Sequence, residues 1–359
     1  QTVWLEAVAP KRLDSLRFTS LFDAGKVNIV CRGREVTADD IMEYQILLNG
    51  EKIAGGEMKW GSTELDFDVD LVQKQIFRTN FHDNGFAWTP ENPTLFDVVI
   101  CVRDGQGQIH DEVKSYFGFR KVHTEKNMVY LNNKPYYQKL VLDQGYWPEG
   151  LLTAPDDEAL KREIELAKQM GFNGCRKHQK MEEPRFMNWA DRLGYLVWGE
   201  CASTPVYSAD TADRLMAEWT EVVSRDYNHP SIIVWVPLNE SWGVPNIHAG
   251  RMQQHFSQAM YHYLHAVDPT RLVISNDGWE MTETDICAIH NYMHGQKEEN
   301  DKYQEYQDML ATAESLTAHS STNWDIYARG FAYRGEPILL TEFGGIGFDV
   351  SGAPGWGYT

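Results

Sequence analysis

The run Ile232-Ile233-Val234-Trp235-Val236-Pro237-Leu238 is apolar at every position, with no alternation of apolar and polar residues. A strand with one solvated face alternates, so this run fits a strand covered on both faces, as in a parallel sheet flanked by helices. The turn Asn228-His229-Pro230-Ser231 precedes it and Asn239-Glu240 ends it. Pro337-Ile338-Leu339-Leu340-Thr341 repeats the pattern and delivers Glu342 just ahead of Phe343-Gly344-Gly345. Barrels of alternating strands and helices keep their chemistry at the C-terminal strand ends. Two carboxylates, each at such an end, are the minimum equipment for glycoside hydrolysis. A lone Glu at a strand end is usually a solvated surface residue, and the chain has 52 acidic residues to draw from. The two together, one after Asn and one before Phe-Gly-Gly, carry the argument.

Strand–helix alternation begins only at Met128, which implies a parallel sheet from there onward. Strands are predicted over 136–142, 172–176, 195–199, 232–238, 271–275, 285–289 and 337–341. Helices are predicted over 154–170, 183–193, 211–227 and 248–267. Pro155 with Asp156, Asp157 and Glu158 suits the first turn of a helix, where the missing proline N–H costs nothing and acidic groups meet the positive end of the dipole. The count stops at seven strands, and Gly345–Thr359 is too short for the strand and two helices that would complete a (β/α)8 barrel. Residues 11–122 read as short strands with turn signals, among them Asn49-Gly50 between two apolar stretches, a hairpin signal. The expected fold is therefore an all-β immunoglobulin-like sandwich over 8–124, followed by an α/β TIM barrel over 125–359 that is truncated before its last strand.

Composition narrows the partners. A net charge of −19 argues against nucleic acid and anionic membranes, which need a positive face. The five cysteines, Cys31, Cys101, Cys175, Cys201 and Cys287, are scattered and show no metal-binding spacing. Buried free thiols in a reducing compartment are expected, which favours the bacterial cytoplasm. The chain opens on Gln1 inside a strand-like segment without an initiator Met, so it reads as an excised fragment and secretion stays open. No cofactor and no metal are expected; a homo-oligomer is possible for the full-length protein.

The strings NHPSIIVWVPLNESW and PILLTEFGG resemble the two active-site signatures of glycoside hydrolase family 2, which contains β-galactosidases, β-glucuronidases and β-mannosidases. The resemblance implies a retaining exo-β-glycosidase, β-galactosidase-like in first preference and β-glucuronidase-like in second, that works by double displacement through a covalent glycosyl-enzyme. It makes Glu240 the acid/base and Glu342 the nucleophile, and it gives Asn239 to the sugar 2-hydroxyl. Arg176, at the end of the second barrel strand, would pair with the nucleophile and keep it ionised, and Tyr292 would hydrogen-bond it. The segments WTPENPTLF (88–96) and YFGFR (116–120) resemble the exit of the family's immunoglobulin-like domain, and 1–7 the last strand of an upstream sugar-binding jelly roll.

Other pocket candidates follow from position alone: His178, Glu200, Trp279 and His290 at strand ends, Asp143 as a hydroxyl partner and Trp147 as a stacking surface. The loops around Leu140–Gly150 and Arg176–Lys180 depart from the patterns of well-known β-galactosidases, so their sugar specificity does not transfer. Two rival classes remain. A non-catalytic carbohydrate-binding barrel has no need of a proton donor and a nucleophile. A metal-dependent hydrolase would use His178, His290 and His294, but these lack the usual ligand spacing.

Overall fold

The computed structural model describes residues 3, 5–72, 85–292, 300–318 and 324–345. His294 and everything after Gly345 lie outside the described residues. Among the described residues seven strands build the first domain: β1 (Arg12–Leu21), β2 (Lys26–Arg34), β3 (Ile41–Leu48), β4 (Glu51–Lys59), β5 (Glu64–Asp70), β6 (Phe96–Arg103) and β7 (Ile109–Phe117). They form two antiparallel sheets, ordered β1-β2-β5 and β4-β3-β6-β7. Alternation sets the inner faces: along β2 Val27, Ile29 and Cys31 are buried while their neighbours are less so. Phe96 and Phe117 stack in the core, with ring centroids 4.9 Å apart. The β3–β4 turn uses Asn49 and Gly50 at φ 51° and 81°, the double left-handed geometry that matches the twist of a hairpin.

A small antiparallel sheet of β8 (Val122–Glu125), β9 (Met128–Leu131) and β10 (Lys134–Pro135) leads into the barrel. The barrel strands are β11 (Leu140–Asp143), β12 (Gly174–Lys177), β13 (Leu196–Glu200), β14 (Ile232–Val236), β15 (Leu272–Val273), β16 (Cys287–His290) and β17 (Ile338–Glu342). β11 to β15 form one parallel sheet in chain order, and β16 pairs with β17. The helices α1 (Asp157–Gln169), α2 (Pro184–Leu193), α3 (Ala209–Asp226) and α4 (Arg251–Val267) follow β11 to β14, and α5 (Asn300–Leu310) and α6 (Ala313–Leu316) separate β16 from β17. The Asp156 side chain caps α1 by accepting the Ala159 N–H, and Ser208 with Thr211 forms a reciprocal cap on α3.

Strand parity sorts the side chains into two cores. Leu196, Trp198, Val234, Val236, Ile286 and Ala288 fill the barrel interior, while Cys175, Val197, Trp235 and Val273 pack outward against the helices. This is why β14 is apolar throughout. The first barrel strand starts later than its sequence suggests, at Leu140. The Asn173 side chain accepts the Lys139 N–H and donates to the Tyr137 carbonyl, standing in for ladder bonds over that stretch. Among the described residues β11 and β17 are unpaired with each other, and a cleft of about 790 Å³ lined by Leu140, Leu142, Leu339, Thr341 and Phe343 opens between them. No helix among the described residues is long and apolar enough to cross a membrane.

The turn before β14 docks the two domains. Asn228 accepts the Phe18 N–H and donates to the Leu16 carbonyl. Arg120, 5% exposed, donates to the carbonyls of Pro230, Thr270 and Ile232. A Cβ on Gly118 would stand 2.6 Å from the Pro230 ring, so only glycine allows this approach. Asp191 on α2, fully buried, accepts hydrogen bonds from the Tyr116 hydroxyl (2.8 Å), His229 Nδ1 (2.6 Å) and the Ser231 N–H (3.0 Å).

Burial disfavours charge on His229, but the Asp191 carboxylate outweighs it and raises the imidazole's pKa. A pKa raised on folding gives stability that is full below the ordinary histidine value and fades as pH rises through the folded-state value. Replacing Asp191 by Ala leaves three donors unpaired, the Ser231 N–H fully buried among them, and is expected to cost about 3 kcal/mol. Calorimetry across pH should show the gap between the native protein and Asp191→Ala narrowing as His229 loses its proton; a gap independent of pH would remove the ion pair from the account.

Candidate active site

Arg176 is the centre of the cluster. It lies on β12, points into the barrel and is 2% exposed. Its Nε donates to Glu200 (2.8 Å) and lies 3.0 Å from Asp277. One terminal nitrogen donates to Glu342 (2.7 Å) and the other to Asn239 Oδ1 (2.6 Å). Burial works against the guanidinium charge, but Asp277, Glu200 and Glu342 outweigh it and raise its pKa. Such a buried cation persists only because carboxylates from several strand ends surround it.

Glu342 ends β17 and receives two further partners. The Tyr292 hydroxyl donates to its Oε2, and His290 Nε2 lies 3.4 Å from its Oε1. The β16–β17 register puts His290 directly opposite Glu342. Burial alone would raise the pKa of Glu342, yet His290, Arg176 and the Tyr292 hydroxyl together hold it below the ordinary value. The Glu342 carboxylate is thus kept ionised. On its other side His290 meets Glu240, with Nδ1 2.8 Å from Oε1. One carboxylate oxygen of Glu240, one ring nitrogen of His290 and one carboxylate oxygen of Glu342 lie within 4.8 Å of one another. Positive charge in this cluster comes from Arg176 and His290 themselves.

Glu240 is aimed by an unusual backbone. Glu240 and Ser241 both take left-handed φ, 51° and 58°, which costs a residue with a side chain about 1–2 kcal/mol. The segment is held from β15's exit loop. The Glu240 N–H donates to the Asp277 carbonyl, the Ser241 N–H to Asn276 Oδ1, and the Ser241 hydroxyl to Glu280. Gly278, at φ 105°, lies so close that a Cβ there would stand 2.6 Å from His290 Nδ1. Asp277 is fully buried; burial raises its pKa, but Arg176, His290 and the Thr341 hydroxyl outweigh it and leave it depressed.

Asp277, Asn276, Ser241 and Glu280 were not among the sequence candidates. The signal was present in Ser275-Asn276-Asp277-Gly278-Trp279-Glu280, a polar, glycine-containing run at the end of the fifth predicted strand. That run sits on the same side of the barrel as the Asn-Glu pair.

The structure brings Arg176, Asn239, Glu240, Tyr292, Glu342, His178, Glu200 and His290 into one cluster. His178 Nδ1 lies 3.2 Å from Arg176 and 3.7 Å from Glu342. Glu200 is raised to about 7 by its burial and by Asp277, against the pull of Arg176. His290 has no exposed side-chain surface, so it meets the carboxylates and not a sugar. Trp279 sets its edge against His290 and stacks on Trp324 at 5.9 Å.

Two candidates lie elsewhere. Asp143 turns away from the barrel centre, because Lys177 alternates with Arg176 along β12 and projects outward. The Lys177 ammonium bonds Asp143 and lies 3.0 Å from Glu163 and from Glu182, while Asp143 Oδ1 accepts the Gly145 N–H. Trp147 pairs with Leu151 and packs on the strand–helix core.

Residues 122–345 match the family model described as "Glycosyl hydrolases family 2, TIM barrel domain", and residues 11–120 match "Glycosyl hydrolases family 2". A β-galactosidase of Photobacterium profundum is 35% identical over 227 residues, which is 60% of this chain and 21% of that protein. The fold is similar to that of a β-glucuronidase from Ruminococcus gnavus, with TM-score 0.72 and 18% identity, covering 96% of this chain and 56% of the other. It is also similar to a β-galacturonidase from Eisenbergiella tayi, with TM-score 0.70 and 18% identity, covering 96% and 58%. A match that takes in most of the barrel, with the sandwich matched ahead of it, shows that the chain belongs to glycosyl hydrolases family 2.

Proposed function

We propose that this chain carries the catalytic machinery of a retaining exo-β-glycosidase that removes terminal β-linked sugars by double displacement. The observation that supports it is the pair of carboxyl groups: Glu240 and Glu342 bring ligating oxygens within 4.8 Å of each other. Retaining enzymes need about 5 Å between the groups, whereas inversion needs room for a water and about 6.5–9.5 Å.

In the first step Glu342 attacks the anomeric carbon while Glu240 gives its proton to the leaving oxygen. In the second, Glu240 takes a proton from water as the water displaces Glu342. Arg176 and Tyr292 hold Glu342 ionised and oriented. Asn239 Oδ1 is taken by Arg176, but its buried Nδ2 has no hydrogen-bond partner among the described residues, which leaves that donor for a sugar hydroxyl. Resemblance to the Photobacterium profundum enzyme favours a β-galactoside as substrate. A panel of nitrophenyl β-glycosides that includes glucuronides tests this directly, and no turnover of any member by the full-length protein would refute the enzyme reading.

Glu342→Gln in the full-length protein is expected to abolish turnover of every glycoside. Glu240→Ala should lose about 10²–10⁴-fold on glycosides with poor leaving groups, the usual worth of general acid catalysis. A dinitrophenyl glycoside, whose leaving group needs no proton, should still form the glycosyl-enzyme, and added azide should release it as a glycosyl azide of unchanged anomeric configuration. Rescue of Glu342→Ala with retention, or of Glu240→Ala with inversion, would reverse the assignment.

Tyr292→Phe removes one hydrogen bond to a charged group. About 1.5–3 kcal/mol is expected, or roughly a 10–150-fold fall in kcat/KM, with the acidic limb of the pH profile moved upward because Glu342 loses a stabilising donor. Steady-state kinetics across pH reads both effects.

A further inference from the structure

We propose that His290 is the positioning residue of this reaction, an imidazolium that stays protonated through the cycle and stabilises negative charge first on Glu240 and then on Glu342. The inference rests on the glycosidase reading above and adds a role for a residue that has no exposed surface with which to touch a sugar.

Carboxylates stand beside both ring nitrogens, and Nε2 also meets the Arg176 guanidinium, a donor, at 3.4 Å. Nδ1 lies 2.8 Å from Glu240 Oε1. Nε2 lies 3.3 Å from Asp277 Oδ1 and 3.4 Å from Glu342 Oε1. A neutral ring carries one N–H and would leave one of these carboxylates facing a lone pair. The other titratable neighbours are the Arg176 cation and, beyond it, His178, which burial and Arg176 hold below the ordinary histidine value. Burial disfavours a charged ring, yet Asp277, Glu240 and Glu342 raise the pKa to about 9. The ring is also held in place. Gly278 packs against Nδ1 where any side chain would collide, Trp279 sets its edge on the ring, and the β16–β17 register fixes the backbone opposite Glu342.

The chemistry follows from this placement. With Oε1 of Glu240 bonded to His290, the other oxygen is the one that carries the transferable proton. When that O–H bond breaks and the proton moves to the leaving oxygen, the new carboxylate already faces a cation. As the glycosyl–Glu342 ester breaks in the second step, charge returns to Glu342 beside the same cation. His290 keeps its own protons throughout, so no further acid, base or oxidant is required.

The His290 cation beside Glu342 lowers its pKa, so removing it raises it. His290→Gln and His290→Asn in the full-length protein should therefore move the acidic limb of the kcat/KM–pH profile, which reports Glu342, upward by about 1 unit or more. A dinitrophenyl β-glycoside, which needs no proton donor, should show the same shift. An acidic limb that stays in place while activity falls would reduce His290 to packing. If the variants fail to fold, the ¹⁵N shifts of His290 in the native protein decide the matter without substrate. Two protonated nitrogens near neutral pH support the proposal and a neutral tautomer overturns it. Failure of the native protein on the glycoside panel would instead sink the glycosidase reading, which the nitrogen shifts do not test.

Discussion

The site depends on one buried guanidinium. Arg176 faces Glu200, Asp277 and Glu342, three carboxylates from three different strand ends, with Glu240 one histidine away. A single positive charge cannot balance four negative ones in a medium where unpaired charge costs several kcal/mol. The excess is met by protons. Glu200 is raised to about 7 and His290 to about 9, so each binds a proton more tightly than an ordinary group of its kind. Asp277 and Glu342 are depressed. The protein thus separates the three carboxyl groups around Arg176 by position alone, the kind of tuning that keeps a nucleophile ionised beside other acids.

The same cluster accounts for the backbone around Glu240. Two consecutive non-glycine residues in the left-handed region would not persist in an isolated loop. Here Asn276, Asp277 and Glu280 take up the N–H groups and the hydroxyl that this conformation presents. Their loop leaves β15, a strand of only two residues, and rejoins the neighbouring strand at a single parallel bridge between Asn239 and Asp277. The strain at Glu240 and the brevity of β15 are two views of one arrangement.

What was legible in the sequence was whatever an apolar strand announces. Ile232–Leu238 and Pro337–Thr341 could only be buried strands, so the residues just past them, Glu240 and Glu342, could be located without coordinates. Arg176 and His290 were found the same way. Asp277 and Glu280 were not, because β15 is too short for its end to be read and because Asp and Glu in a glycine-containing run resemble any surface loop. Asp143 was misplaced for a reason of parity. It ends β11 at the mouth of the barrel, but Lys177 one strand over projects outward and draws the carboxylate with it. Burial pushes Glu163, the third member of that group, up to about 8, and it shares the Lys177 ammonium with Asp143. An alternating strand gives a face to each residue only once its neighbours' faces are known.

The long signature from Asn228 to Glu240 has two jobs, one at each end of β14. At the N-terminal end Asn228, His229, Pro230 and the carbonyl of Ile232 contact the sandwich and its exit segment through Phe18, Leu16, Gly118 and Arg120. At the C-terminal end stand Asn239 and Glu240. Five strand residues span about 17 Å at the usual rise, so the two ends are too far apart to share atoms but are joined by a rigid, fully buried rod. The sandwich therefore fixes the foot of the strand whose head carries Glu240. Loss of a foot contact acts through the stability of the docked pair of domains, whereas loss of a head contact acts on the chemistry. A motif that reads as one unit in the sequence separates into an anchor and an active-site element because a strand is long enough to keep them apart.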